Sequence, residues 1–236
     1  MLYAMIGKRL ITTLVVCGAL FITWGCSTTQ KVAIQDHSAI CNFIGSSCSK
    51  LRPGGQGQTS IRYVNSEANW RQYKKVMIDP FVFLGGNQTK ISLPDQQTLV
   101  DFARAVSQEQ LARRFEIVQR PGPGVMRIQV VFMDAEEATP LLRTITMSVP
   151  QARALASLAY LSTGVYPFVG GIQFAGKVTD AMTGELLAAG ADREIGGGSL
   201  KDAAQWEWGD AENAMTLWAA KMTEKLYGWT KGTEPF

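Results

Sequence analysis

The chain has 236 residues, a formal net charge of +3, 46% hydrophobic side chains and 18% charged ones. That size and apolar content suffice for one domain with a sizeable core. So small an excess of positive charge, with no run of lysines and arginines, argues against a nucleic-acid surface, and a single histidine, His37, argues against imidazole-based catalysis and metal centres.

The first element is a leader. Lys8 and Arg9 precede an apolar run over residues 10–24, and Gly25–Cys26 is followed by polar Ser27, Thr28 and Thr29. A positive start, a short apolar stretch and a small residue at the cut are the three parts of a bacterial secretion signal. The run is about 15 residues, short of the roughly 20 that a transmembrane helix needs. Residues 1–25 are therefore expected to be a cleaved signal peptide, with Cys26 acylated to hold the mature chain on a membrane. The residues before the cysteine are those of a lipobox at Gly25 and Cys26 but not at Thr23 and Trp24. By the usual sorting resemblance, Ser27 rather than an aspartate points to the outer membrane of a Gram-negative bacterium, with the domain facing the periplasm.

Residues 26–60 are rich in Ser, Gln, Gly and Thr and are expected to be a flexible, lipid-anchored tether. His37 falls within it. Cys41 and Cys48, in an oxidising compartment, are expected to form one small disulfide loop; two thiolates without a nearby histidine make only half a zinc site.

Residues 61–236 are expected to be one periplasmic domain. A strand is expected over residues 75–83, with Pro80 implying an edge or a bulge. A helix is expected over 94–115, with Ser92 as N-cap, Pro94 in the first turn and Leu99, Phe102, Ala103, Val106, Leu111 and Phe115 at helical spacing. Strands over 116–118 and 125–133 bracket a stiff Pro121–Gly122–Pro123–Gly124 connection. In the second of them Met126, Ile128, Val130 and Phe132 share one face. Residues 149–168 are nearly free of charge, and 151–161 is either a helix packed on the core or an apolar patch for a membrane or partner. Residues 172–179 and 185–193 form an expected hairpin around a turn closed by Gly184. The last helix spans 210–227, with a stripe of Ala214, Trp218, Met222 and Leu226 and with Gly228 just past its end. The fold class expected from this order is α+β: a mostly antiparallel sheet of about four to five strands covered by two main helices, behind a flexible N-terminal tether.

Several blocks carry a family resemblance. They are Arg52–Pro53–Gly54, Tyr63–Val64–Asn65, Trp70–Arg71–Gln72–Tyr73 and Lys75–Val76–Met77–Ile78–Asp79–Pro80, then Arg120–Pro121–Gly122–Pro123–Gly124–Val125. The run from Asp180 to Ala189, Asp192–Arg193, Trp208–Gly209–Asp210 and Trp218–Ala219 complete the set. Together they resemble domain-of-unknown-function family 3313, over about residues 43–228. The resemblance implies a bacterial, signal-bearing lipoprotein without an established activity.

No catalytic residues are assigned. Asp134 with Glu136 and Glu137 follows a strand and is expected to be a solvated turn, and no cofactor or metal is expected. Two surfaces are candidates for binding: Pro121, Gly122, Pro123 and Gly124, whose prolines stiffen the backbone while the glycines let another chain approach, and Trp206 with Trp208, which could grip a glycan or a protein. The structural alternatives are a tight strand connection for the first and an aromatic cluster capping the core for the second. The expected function is a non-catalytic, structural or accessory outer-membrane lipoprotein of a secretion or transport assembly. It would touch the membrane through its N-terminal lipid and meet one or more protein partners, as a possible oligomer and without nucleic acid. The alternatives are a module binding peptidoglycan or a small ligand, and a carboxylate-based hydrolase.

Overall fold

In a computed structural model, residues 29–84, 91–136, 170–196 and 208–236 are described, with positions 150, 151 and 155. The leader, Cys26, residues 85–90, most of 137–169 and residues 197–207 lie outside them.

A long hairpin organises the sheet. Strand β8 (Gly171–Asp180) and strand β9 (Leu186–Gly196) pair antiparallel along nearly their whole length. The turn between them is set by Asp180, whose Oδ1 accepts from the Met182 and Thr183 amides at 2.8 Å each, while Gly184 takes a φ of 75°. A short polar side chain bonded two and three residues ahead is the local reason for this turn. On one side β8 pairs antiparallel with β7 (Val125–Glu136).

Beyond β7 the pairing becomes parallel. Strands β4 (Lys75–Ile78) and β5 (Val82–Phe83) both run parallel to β7, and β6 (Glu116–Ile117) runs parallel to β4. Pro80 lies between β4 and β5 at a bulge: Ile78 is level with Ile128 and Val82 with Val131. Helix α2 (Leu93–Ala112) carries the chain back so that β6 starts beside Lys75, and residues 118–124 return it again so that β7 also starts beside Lys75, on the other edge. At the other side of the hairpin, β3 (Ile61–Val64) and β1 (Thr29–Lys31) both pair antiparallel with β9, and β2 (Arg52–Pro53) pairs with β3.

The described strands thus form one nine-stranded mixed sheet. The expectation of a mostly antiparallel sheet of four to five strands is corrected on both counts, because short strands joined by distant crossovers leave little periodic signal. The α+β class holds.

The segment expected to be a tether is also different. Residues 29–31 are a sheet strand, and residues 37–44 form helix α1 (His37–Ile44), capped by Asp36 and closed by Gly45. Ile40 and Ile44 of α1 pack on Val131, Met133, Ala175, Ala189 and Ala191, one face of the sheet. The Lys177 ammonium reaches the Phe43 carbonyl at 2.9 Å at the end of that helix. Cys41 and Cys48 are disulfide-bonded, joining α1 to the 3-10 turn that follows it.

The opposite face carries the main core. Leu99, Ala103 and Leu111 of α2, spaced by four and then eight residues, and Ala214, Met215 and Leu226 of helix α3 (Gly209–Lys231) cover Met126, Ile128, Val130 and Phe132. Ser92 caps α2 as expected, accepting from the Asp95 amide at 3.2 Å. Helix α3 does not stop at Gly228: it runs to Lys231 and is capped by Gly232 at φ 70°. Gly228 is glycine because the C-terminal tail folds back on it, and a Cβ there would collide with the side chain of Glu234.

Tyr73 is buried against Trp70 and donates to Asp180 Oδ2 at 2.9 Å. Burial first, then this carboxylate, pushes the Tyr73 hydroxyl from 10.0 up to about 12. For Asp180, burial acts upward, but the Thr183 and Met182 amides and the Tyr73 hydroxyl outweigh it and hold the carboxyl below its ordinary value. A phenol that ionises later in the folded chain than in the unfolded one contributes stability that is complete below pH 10 and is lost as pH rises towards 12. Denaturant midpoints measured across that window are expected to fall more steeply for the wild type than for Tyr73→Phe. Parallel curves would show that Tyr73 does not titrate late.

Candidate functional site

Four strands align small and apolar side chains in rows across the face that α3 covers. Val130 of β7 is level with Gly176 of β8, Gly176 with Gly190 of β9, and Gly190 with Arg62 of β3. The adjacent row is Ile128, Val178, Ala188 and Val64. Alternate residues of a strand share a face, so both rows look towards α3. The two glycines allow close approach from either flank. A Cβ on Gly176 would meet the Trp218 ring at 3.3 Å, and one on Gly190 would meet Thr59 Cγ2 at 3.0 Å. Between these flanks the floor stays low.

The opposing wall is the stripe of α3. Trp218 and Met222 are only partly buried, although they pack against the core, because one side of each looks into the space above the floor. With Leu226, Trp229 and Pro235 they complete a cleft of about 420 Å³. That lies within the roughly 300–1,000 Å³ of small-molecule sites.

Charged groups stand at its rim, and most are engaged. The Lys31 ammonium pairs with Oδ2 of Asp192, whose Oδ1 accepts from the Ser60 hydroxyl and from the Ser60 amide at 3.3 Å. Asp192 is 2% exposed, so this node fixes β1 and the loop before β3 onto β9. It places the carboxylate between the serine and the lysine, an arrangement for clamping rather than for activating a nucleophile. Lys225 pairs with Glu234 at 2.7 Å and Arg114 with Glu224 at 3.0 Å. Among the described residues Arg62 has no such partner, and burial pushes its guanidinium down from the ordinary value. Among the described residues no three His, Cys, Asp or Glu side chains are grouped to hold a metal, and no helix is long and apolar enough to cross a membrane.

The profile of the family described as protein of unknown function (DUF3313) matches residues 42–222. The chain belongs to this family. No curated protein matches this DUF3313 chain. Among solved structures it is similar to the PelC dodecamer of Paraburkholderia phytofirmans, with 8% identity over 69% of this chain and 94% of that one and a TM-score of 0.38. A single-substitution variant of the same dodecamer gives 7% identity, the same coverage and a TM-score of 0.39. A Xanthomonas campestris protein of family DUF330 gives 9% identity over 72% of this chain and 91% of that one, with a TM-score of 0.37.

The residues singled out in the DUF3313 sequence fall in different places. Cys26 and Trp206 lie outside the described residues. Trp208 is not a surface aromatic: it is completely buried at the start of α3, within the main core. Its flanking polar residues suggested exposure, but the helix that starts there turns the indole inward. Pro121, Gly122, Pro123 and Gly124 make the return from β6 to β7 and do not line the cleft. The Gly124 carbonyl accepts from the Lys74 and Lys75 amides at 3.2 and 3.3 Å. Gly124 has a φ of 69°, and a Cβ there would lie 2.6 Å from the Gln72 carbonyl oxygen. Gly124→Ala is expected to destabilise by at least about 1–2 kcal/mol, the ordinary penalty of a left-handed alanine, before the steric clash is counted. Thermal melting checks this; an unchanged midpoint would remove the backbone role of that glycine.

The cleft itself escaped sequence reasoning. Its residues come from positions near 60, 130, 176, 190 and 220, and the only local signal was the density of Gly and Ala in β8 and β9.

Proposed function

We propose that this protein is a non-catalytic, lipid-anchored component of the bacterial outer membrane whose periplasmic domain works by binding through the cleft between α3 and the sheet. The cleft carries this reading: its walls are apolar and aromatic, and its polar groups clamp the fold instead of forming a nucleophile–base pair. The sole histidine supports the same view, since His37 begins α1 on the opposite face of the sheet. The leader supports the anchor. Thr29 is the first residue of β1, so at about 3.5 Å per extended residue an acylated Cys26 would hold β1 within roughly 10 Å of its attachment point. The domain would rest near the bilayer, without a long leash.

Mass spectrometry of the mature N-terminus, taken from envelope preparations, is expected to find two or three acyl chains on Cys26. An unmodified chain starting elsewhere would sink the lipoprotein assignment.

A second reading, protein contacts in a secretion or transport assembly, is favoured by one feature. Val82 and Leu84 around β5, and Leu93 at the start of α2, are exposed large apolar side chains, and clustered apolar exposure suits a partner surface. Cross-linking in intact cells tests it: polar substitutions at Val82 and Leu84 are expected to abolish the cross-linked species under this reading and to leave it unchanged under the first.

A further inference from the structure

We propose that the cleft binds a long-chain carboxylate, with the acyl chain laid along the Ile128–Val178–Ala188–Val64 floor and the carboxylate on Arg62. This rests on the binding role assigned to the cleft above and adds the chemistry of its occupant.

Two independent features favour that occupant. The first is shape and polarity. The floor row is wholly aliphatic, and the wall offers Trp218, Met222, Leu226 and Trp229. Methionine and aromatic side chains adapt to a flexible hydrocarbon without asking for hydrogen bonds.

The second is charge. Arg62 stands at the β3 end of the glycine row, lines the cleft and is half-buried. The carboxylate next along β9 cannot serve it, because Asp192 is taken by Lys31 and by Ser60. Directly across the ladder from Arg62 is Arg52, a second arginine, whose guanidinium donates to the Ser49 and Leu51 carbonyls at 2.7 Å each. The two arginines are opposite in register, and among the described residues neither is paired with an acid; like charges directly opposite are unfavourable, and an anion on Arg62 would relieve this. A guanidinium offers parallel N–H groups that match a carboxylate in a forked pair. The result is an apolar channel with an unanswered cation at one end, complementary to a single-tailed anion.

The test uses the intact lipoprotein purified from the envelope in a nonionic detergent. The probe is palmitate carrying a diazirine in its chain, with the alcohol of the same length as its uncharged counterpart. Photolabelling by the acid is expected to be saturable and to map to peptides containing Val64, Met222 or Trp229. The alcohol is expected to label about tenfold less, the difference that one charge-assisted hydrogen-bonded contact makes. Arg62→Gln should bring the acid down to the level of the alcohol, Arg62→Lys should keep much of the preference, and Val64→Trp should suppress both probes by obstructing the floor. Melting curves of each variant separate loss of binding from loss of fold.

Equal labelling by acid and alcohol, labelling spread over the surface, or a co-purifying polypeptide cross-linked in the cleft would overturn the proposal. The same sample reports the acylation of Cys26 by mass spectrometry, so a failed anchor and a failed ligand give different results. A cleft labelled by the alcohol alone would retain the binding role of the site and reject the carboxylate.

Discussion

Trp208→Ala is expected to lower the unfolding free energy by about 3–5 kcal/mol, the range for removing a fully buried aromatic side chain. For a domain of this size that corresponds to a drop in melting temperature of roughly 10 °C. The reason is position. Trp208 has no exposed surface and belongs to the same core as Phe132, Phe174 and Leu226. It also immediately precedes α3, so a cavity there loosens the first turn of the helix that walls the cleft. Trp208→Phe keeps much of the volume and should cost far less. Calorimetric or circular-dichroism melting of the two variants checks the prediction. If Trp208→Ala melts like the wild type while losing ligand, the indole is a binding residue and not a core residue.

Asp192→Ala is the second large effect. It removes the acceptor of three donors at once: the Lys31 ammonium, the Ser60 hydroxyl and the Ser60 amide. Breaking a buried, hydrogen-bonded ion pair by deleting one member strands the rest, and about 3 kcal/mol is expected. Lys31 tempers the loss, since its side chain is 32% exposed and can rehydrate. The damage should be local in character. Strand β1 is held to β9 by backbone pairing that continues at Val32, whose amide donates to the Arg193 carbonyl at 3.0 Å. Hydrogen exchange at the Val32 amide is therefore expected to accelerate before exchange in β7 and β8 does. Asp192→Asn, which retains an acceptor for Ser60, should give an intermediate loss. Uniform acceleration across the sheet would show instead that the node supports the whole domain and not the docking of β1.

These two residues also mark where sequence reasoning succeeded and failed. The Asp180–Gly184 turn, the Ser92 cap, the apolar face of β7 and the Cys41–Cys48 disulfide were all legible, because each depends on residues close in the chain or on a strict period of two or four. Pro80 announced its bulge for the same reason: a proline cannot donate to a ladder. Trp208 was a candidate binding aromatic because its neighbours are polar, with an aromatic cluster over the core as the alternative; which of the two holds depends on what the helix packs against. Residues 26–60 were read as a tether from composition. Ile40 and Ile44 are four residues apart, and that pair alone was too little to announce a helix that only its docking on Ala175, Ala189 and Ala191 makes worthwhile.

By itself, then, the sequence determined the family, the α+β class, the hairpin, the two long helices and the residues able to form a disulfide. Those features follow from local propensity, capping and periodicity, which act over a few residues. Only the tertiary structure decided the parallel half of the sheet, the burial of Trp208, the docking of β1 through Asp192 and the cleft with Arg62 at its end. Each of these joins residues that are tens to more than a hundred positions apart. A glycine at 176 or 190 looks in sequence like any weak point in a strand; it becomes the flank of a cleft only when Trp218 and Thr59 are brought down onto it.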